Sequence, residues 1–385
     1  MPAGNERAVV GLLSHRGGNI GHDFMALGVE ELMRRTFGEQ CEIRHLEHHQ
    51  PFEVYGRRHP LRILNRYPHG RANAAKRFVL SKAVAPNLVK TSSRALEELR
   101  LAVVCGGPAL HAGAAGSVDM GLMYLHMPHA LAHRGVPVAN ISVGSCYPLK
   151  RVPAEITDAG DNAFFRSMFD AVRETTVRDV LAQELVSTLG SSAELIPCPS
   201  LVAGYAFDRM ASPTERRVVV INAQSRGANE DWGQNVDQEA WRSTLAQLVD
   251  RLKARHEVLF VAHDSREVAF LRTVDAAIPC ELPTTLSEYA AILARAKGGL
   301  TTRIHAALPL ASVGCSPVVV GTDTRLGTPA AVGLATHFVK DADAEMLEAE
   351  IEDRLARASE ERDRLTALRE ATAGRYEELF QGLAS

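Results

Sequence analysis

No apolar run in this chain approaches the eighteen or so residues that a membrane span needs, which argues against an integral membrane protein. No excess of positive charge exists either: 43 Lys+Arg stand against 46 Asp+Glu, a formal charge of −3. A protein that grips nucleic acid by releasing counterions needs a positive field, so nucleic-acid binding is disfavoured. The six cysteines, Cys41, Cys105, Cys146, Cys198, Cys280 and Cys315, include no C-x-x-C and no pair at zinc-ligand spacing, and they read as reduced, buried small hydrophobes. His129 and His133 have the i, i+4 spacing of H-E-x-x-H but lack its glutamate, so no metal is predicted. Lysine is scarce, and arginine makes up most of the basic set; no functional weight is placed on that imbalance. The N-terminal MPAGNERAVVGLLSHRGG lacks the charged start, apolar core and small-residue cleavage site of a signal peptide, which predicts a cytoplasmic protein.

What is present is a foldable chain of 385 residues, 46% hydrophobic and 23% charged, longer than one ordinary domain. Short β-branched runs alternate with amphipathic stretches, the pattern of βαβ units and parallel sheets. One series of strands is expected at 9–14, 42–46, 101–106, 137–144, 175–178 and 193–197, with helices such as 24–37 and 180–189. A second is expected at 218–223, 257–262, 298–302, 317–321 and 337–340, with helices including 241–254 and 287–296. The expected class is α/β with two Rossmann-like domains, 1–205 and 206–340, followed by acidic helices over 341–385 that can fold back. In open α/β sheets ligands bind beyond the carboxyl ends of the strands, so the cleft between the two sheets is the expected site. Two segments break the rhythm. Residues 51–95 carry ten Lys/Arg against the single acid Glu53, and 341–385 carry thirteen acids against six arginines. The basic stretch suits either an anionic membrane surface or pairing with the acidic tail, within one subunit or between subunits of a homo-oligomer.

Chemistry-bearing residues fall at expected strand ends. Ser14-His15-Arg16-Gly17-Gly18-Asn19-Ile20-Gly21-His22-Asp23 follows the first strand. Its glycines admit a ligand to backbone N–H groups, but it is neither G-x-G-x-x-G nor a Walker A loop, and a tight turn with Asn19 or Asp23 as cap fits equally. Gly106-Gly107-Pro108-Ala109-Leu110-His111 is a second glycine turn aimed at the same crevice. Gly298–Leu308 runs from strand into helix with Arg303 and His305 at the junction, a guanidinium for bidentate capture of carboxylate or phosphate beside an imidazole able to move a proton near neutrality. A capping histidine and a surface arginine are the structural alternative. Pro309 predicts a helix that starts late or kinks, since it removes a hydrogen bond and clashes with the carbonyl of His305. Gly321-Thr322-Asp323-Thr324-Arg325 offers another guanidinium, or an exposed loop. At Val177-Arg178-Asp179, Asp179 suits an N-cap and Arg178 can face the cleft. Ala262-His263-Asp264 reads as a cap beside a structural histidine, with a ligand contact as the alternative.

In this order the elements resemble the polysaccharide pyruvyl transferase family. The resemblance runs from about His15 to Arg325. It rests on G-G-N-I-G-H-D, the Gly106-Gly107 turn, T-V-R-D at Thr176–Asp179 with the following L-I-P-C-P-S-L, A-H-D at Ala262–Asp264, and T-R-I-H-A-A-L-P-L-A-S-V-G-C-S-P-V-V-V at Thr302–Val320. Departures are Pro108 where relatives often have a third glycine, Pro197-Cys198-Pro199 where they commonly have P-D-P, and Pro309. The resemblance implies a glycosyltransferase-B-like fold and transfer of the enolpyruvyl group of phosphoenolpyruvate to a saccharide diol as a ketal, with release of phosphate and no further cofactor. It implies that Arg303 and His305 bind the donor, with His305 as general acid, and that Arg178, Arg325, Gly106 and Gly107 supply further donor contacts. Asn19, Asp23, His111 and His263 then fall to the acceptor, a saccharide or lipid-linked saccharide, with Asp23 placed to deprotonate its hydroxyl. A nucleotide-sugar glycosyltransferase of the same architecture and a non-catalytic envelope-assembly protein are the alternatives. A cytoplasmic location, at the inner membrane face if 51–95 binds lipid, goes with each.

Overall fold

The protein is described by a computed structural model covering residues 8–14, 20–46, 79, 87–91, 93–212, 214–228 and 230–385. Asn19 and nearly all of the basic 51–95 segment lie outside the described residues. Among the described residues, twelve strands form two six-stranded sheets. The first contains β1 (Val9–Leu13), β2 (Glu42–His45), β3 (Leu101–Cys105), β4 (Val138–Val143), β5 (Glu174–Val177) and β6 (Glu194–Leu195), in the order β2-β1-β3-β4-β5-β6. The second contains β7 (Val218–Asn222), β8 (Glu257–Val261), β9 (Cys280–Glu281), β10 (Ala296–Thr301), β11 (Val318–Gly321) and β12 (Thr336–Phe338), in the order β12-β11-β10-β7-β8-β9. Every pairing is parallel. In both sheets the strand order reverses at the first strand, which puts the crevice for a ligand at its carboxyl end. This is the doubly wound α/β class expected from the alternation of elements.

Parallel strands covered on both faces should be apolar nearly throughout; β3 is so at every position, and β7 up to its last residue, the buried Asn222. In β3, Ala102 and Val104 enter one core while Leu101, Val103 and Cys105 enter the other. In β7, Val219 and Ile221 face one side and Val218 and Val220 the opposite. Each fully buried aliphatic side chain contributes about 1.5–3 kcal/mol. β9 escapes the sequence pattern because two residues carry no periodicity.

Helix α1 (Ile20–Phe37) starts four residues earlier than the expected 24–37. Ile20, Phe24 and Leu27 recur at helical spacing and bury one face against the second half. Met25, Val29, Leu32 and Met33 bury the opposite face with β1 and β3. His22 and Asp23 therefore stand in the first turn of a helix rather than in a loop. Helix α1 also lies so close to the turn at Pro199–Leu201 that a Cβ at Gly28 would sit 1.9 Å from the Pro199 carbonyl oxygen.

Five further helices matter to the site: α2 (Val180–Thr188), α3 (Ser265–Val274), α4 (Ile304–Ser312) and the pair α5 (Ala344–Ala356) and α6 (Ala358–Ala384). Pro309 lies within α4, so the late start is corrected: the helix begins at Ile304, one residue after Arg303, and accommodates the proline inside. Its apolar side chains Ala307, Leu308 and Ala311 share a core with Val10, Leu12 and Ile141 of the first sheet. Helix α6 packs Leu365, Ala373, Tyr376 and Phe380 into that same core, and Arg369 donates to Asp208 and to the Ser312 carbonyl. Among the described residues no helix is long and apolar enough to cross a membrane.

Candidate functional site

The carboxyl ends of β5, β10 and β11 converge on one cleft. After β5 the chain gives Arg178 and then Asp179. Asp179 caps α2 by accepting the Ala182 N–H at 2.8 Å, and it also accepts the Ser145 N–H at 3.0 Å and the Ser145 hydroxyl at 2.8 Å. Arg178, 1% exposed, makes no ion pair with it. Its Nη1 points at the Met25 Sδ at 3.5 Å, its buried Nε has no hydrogen-bond partner, and it forms no ion pair among the described residues. The guanidinium lies against Gly144, where a Cβ would come 2.4 Å from Nε. A buried charge without a counter-charge is costly, so this arginine is arranged for something other than stability.

At the end of β10, Arg303 is the N-cap of α4 by its backbone. Its Nε donates to Glu267 and its Nη2 to Asp264 at 3.1 Å. Glu267 also accepts the His263 N–H at 2.7 Å and the Asn222 side-chain amide at 3.1 Å. Burial raises the Glu267 carboxyl above its ordinary range, against the opposing pull of Arg303. Asp264 caps α3; burial pushes its carboxyl up, but bonds from Arg266 and the Glu267 N–H, with the Arg303 charge, outweigh it and hold the group low. Arg303 is thus an oriented guanidinium with Nη1 left over for the cleft.

His305 stands in the first turn of α4 with its Nε2 buried and unbonded among the described residues. Burial first, then the charges of His22, Arg178, His263 and Arg325, hold its imidazole well below the ordinary histidine range. It is therefore neutral near pH 7. Its ring meets that of His22 edge-on, with centroids 5.7 Å apart. Gly21 lets α1 come this close, since a Cβ there would lie 2.4 Å from the His305 Cβ.

Beyond β11, Asp323 grips Arg325 with both oxygens, Nε to Oδ1 at 2.8 Å and Nη2 to Oδ2 at 2.6 Å. Burial lowers the Arg325 guanidinium but the Asp323 carboxylate outweighs it, and the group stays charged. Thr324 accepts from the Tyr147 N–H at 3.0 Å, and its hydroxyl shares a 2.8 Å hydrogen bond with that of Ser145, tying this loop to the first half.

Two adjoining cavities result. The smaller, about 120 Å³, is lined by Arg178, Arg303, His305, Thr322 and Arg325 among others. The larger, about 250 Å³, is lined by Gly106, Gly107, His111 and the side chains of Met25, Met123 and Tyr124 among others. His22 and Pro108 border both. Together they are of the size that holds a small organic ligand, roughly 300–1,000 Å³.

The structure therefore brings Arg178, Arg303, His305 and Arg325 to one cavity and places Gly106, Gly107 and His111 in the next. It places neither Asp23 nor His263 on either. The His263 ring packs between Phe24 and Tyr289 and shares a 3.2 Å hydrogen bond with the Tyr289 hydroxyl. Burial, then the nearby Arg303, push its imidazole down to about 3, with Asp264 opposing them. The residue that sequence reasoning passed over is His22. Its neighbour Asp23 drew attention as a carboxylate, and only the helical phase of α1 tells which of the two faces the cleft. Pro108, met in the sequence as a departure, lies on the shared wall.

No protein-family model and no curated protein sequence matches the chain. Solved structures do match in fold. UDP-GlcNAc 2-epimerase from Neisseria meningitidis, bound to UDP-GlcNAc, aligns with a TM-score of 0.51 and 9% identity over 93% of this chain and 94% of its own. UDP-GlcNAc 2-epimerase from Methanocaldococcus jannaschii, in complex with UDP-GlcNAc and UDP, aligns with a TM-score of 0.51 and 11% identity over 91% of this chain and 92% of its own. Two parallel six-stranded Rossmann-like sheets facing across a cleft are the glycosyltransferase-B-like fold, and this chain has it.

Proposed function

We propose that the chain is a carbohydrate-active enzyme that transfers the pyruvyl group of phosphoenolpyruvate to a saccharide diol as a ketal, releasing phosphate. The observation that carries this reading is Arg178, a buried guanidinium that forms no ion pair among the described residues and lines a small cavity with Arg325, Arg303 and His305. A compact ligand with both a phosphate and a carboxylate supplies the missing negative charge.

The same charge sets the acid. Burial first, and then neighbouring charges including Arg178 and Arg325, keep His305 neutral; a bound polyanion offsets those charges and favours uptake of a proton. The imidazolium then protonates the donor's methylene carbon, which becomes the methyl group. The first acceptor hydroxyl bonds to the adjoining carbon as its proton passes to His22. The carbon–oxygen bond to phosphate breaks, the second hydroxyl closes the ketal, and its proton leaves with the hydrogen phosphate. The arginines stabilise the departing phosphate.

The test is phosphate release from phosphoenolpyruvate with a panel of saccharide diols, for the wild-type protein and for His305→Ala. Release in the wild type and its loss in the variant are expected; full release by the variant refutes the assignment. A second reading, a nucleotide-sugar enzyme, is favoured by the fold shared with epimerases bound to UDP-GlcNAc. Thermal stabilisation by UDP-sugars but not by phosphoenolpyruvate selects it.

A further inference from the structure

We propose that the larger cavity is the acceptor site and that its acceptor is amphipathic, a saccharide whose diol adjoins an apolar aglycone, rather than a bare sugar. The proposal rests on the transfer reading only for the word acceptor; the cavity's chemistry stands on its own walls. Its polar side chains are His22, His111 and Asp119, with the hydroxyls of Ser14 and Ser117. Beside them stands a thioether and aromatic wall of Met25, Met120, Met123 and Tyr124. Methionine adapts to irregular apolar ligands and makes favourable contacts with aromatic rings.

The local backbone builds this wall. From Leu122 to His126 the helix widens to one π-helical turn, a feature that recurs at functional sites, and it carries both Met123 and Tyr124. Burial pushes the Tyr124 phenol up, so it stays neutral. At Gly107 the Tyr124 hydroxyl is 3.3 Å from where a Cβ would stand, so any larger residue there narrows the chamber. Because His22 and Pro108 border both cavities, an apolar group seated on the methionines leaves the sugar hydroxyls at His22, facing Arg178 and His305.

The experiment measures binding to the full-length protein without donor, by saturation-transfer NMR and calorimetry. The probes are 4-nitrophenyl β-glucoside and methyl β-glucoside, tested on wild type, Met120→Trp and Met120→Ala. Met120 is half-buried on the chamber wall, so tryptophan fills the space and alanine enlarges it. The wild type should bind the aryl glycoside at least about tenfold more tightly. Met120→Trp should lose that preference, and Met120→Ala should extend it to a naphthyl glycoside. Stabilisation by inorganic phosphate through Arg178 should persist in both variants and shows that they are folded. Equal binding of the two probes by the wild type, or a preference indifferent to both substitutions, overturns the proposal. Failure of phosphate or phosphoenolpyruvate to bind, with the aryl preference intact, instead refutes the donor reading and leaves the amphipathic site standing.

Discussion

Replacing Arg178 by methionine should make the protein more stable and at the same time blind to phosphate. The guanidinium is 1% exposed, donates to a thioether at 3.5 Å, and among the described residues no carboxylate pairs with it. Methionine has similar length and is compatible with Met25 beside it. Replacing buried ionic groups by apolar ones of like volume stabilises by about 1–4 kcal/mol, and an uncompensated charge belongs to the favourable end of that class. A gain of about 2 kcal/mol corresponds to a rise in Tm of about 2–3 °C for a chain of 385 residues. Phosphate reverses the order. At about a hundred times its Kd, a ligand bound only by the native state adds about 2.7 kcal/mol, which the wild type gains and the variant does not. Thermal and urea unfolding of both proteins, in phosphate-free buffer and in a phosphate titration, should therefore give curves that cross. A variant less stable than the wild type without phosphate, or one that keeps the phosphate-induced shift, refutes the reasoning.

Binding of phosphate at pH 7 should be accompanied by proton uptake, because the anion relieves the depression of His305; calorimetry in buffers of different ionisation enthalpy detects it, His305→Gln should remove it, and buffer-independent heats in the wild type contradict it. Native His263 titrates near 3 and its unfolded counterpart near 6.5, so its contribution to stability is full above about pH 6.5 and is lost progressively as the pH falls towards 3. Urea midpoints against pH should show this slope, and His263→Gln should flatten it by about one proton. Gly28→Ala must force α1 from the Pro199 carbonyl and should cost about 3 kcal/mol; an unchanged Tm rules out the contact as drawn. Gly21→Ala should displace His305 and lower turnover by far more than it lowers stability, a split that parallel activity and unfolding measurements resolve.

The sheets were legible because buried parallel strands leave continuous apolar runs, Leu101–Cys105 and the four residues from Val218 to Ile221 among them, and because their chemistry-bearing residues follow immediately at the carboxyl ends. Arg178, Arg303, His305 and Arg325 could be nominated from that position alone. Their charge states could not. Asp179 adjoins Arg178 in sequence but spends its oxygens on Ser145 and the α2 N-terminus, while Arg303 is held by Asp264 and Glu267 across the sheet from β8. Tertiary placement decides which arginine is left without a partner. The thioether wall was equally hidden, since a π-helical turn at Leu122–His126 has no signature in residue spacing.

The apolar seam shared by α4, α6 and the first sheet has a consequence for opening of the cleft. Ala307, Leu308 and Ala311 lie in one core with Val10 and Leu12, and α6 closes over it with Tyr376 and Phe380. Hydrogen bonds of Ser145 and Tyr147 with Thr324 fasten the cleft floor. A wide hinge motion would have to part that seam and expose it to water, so each increment of opening carries the cost of the apolar surface it uncovers.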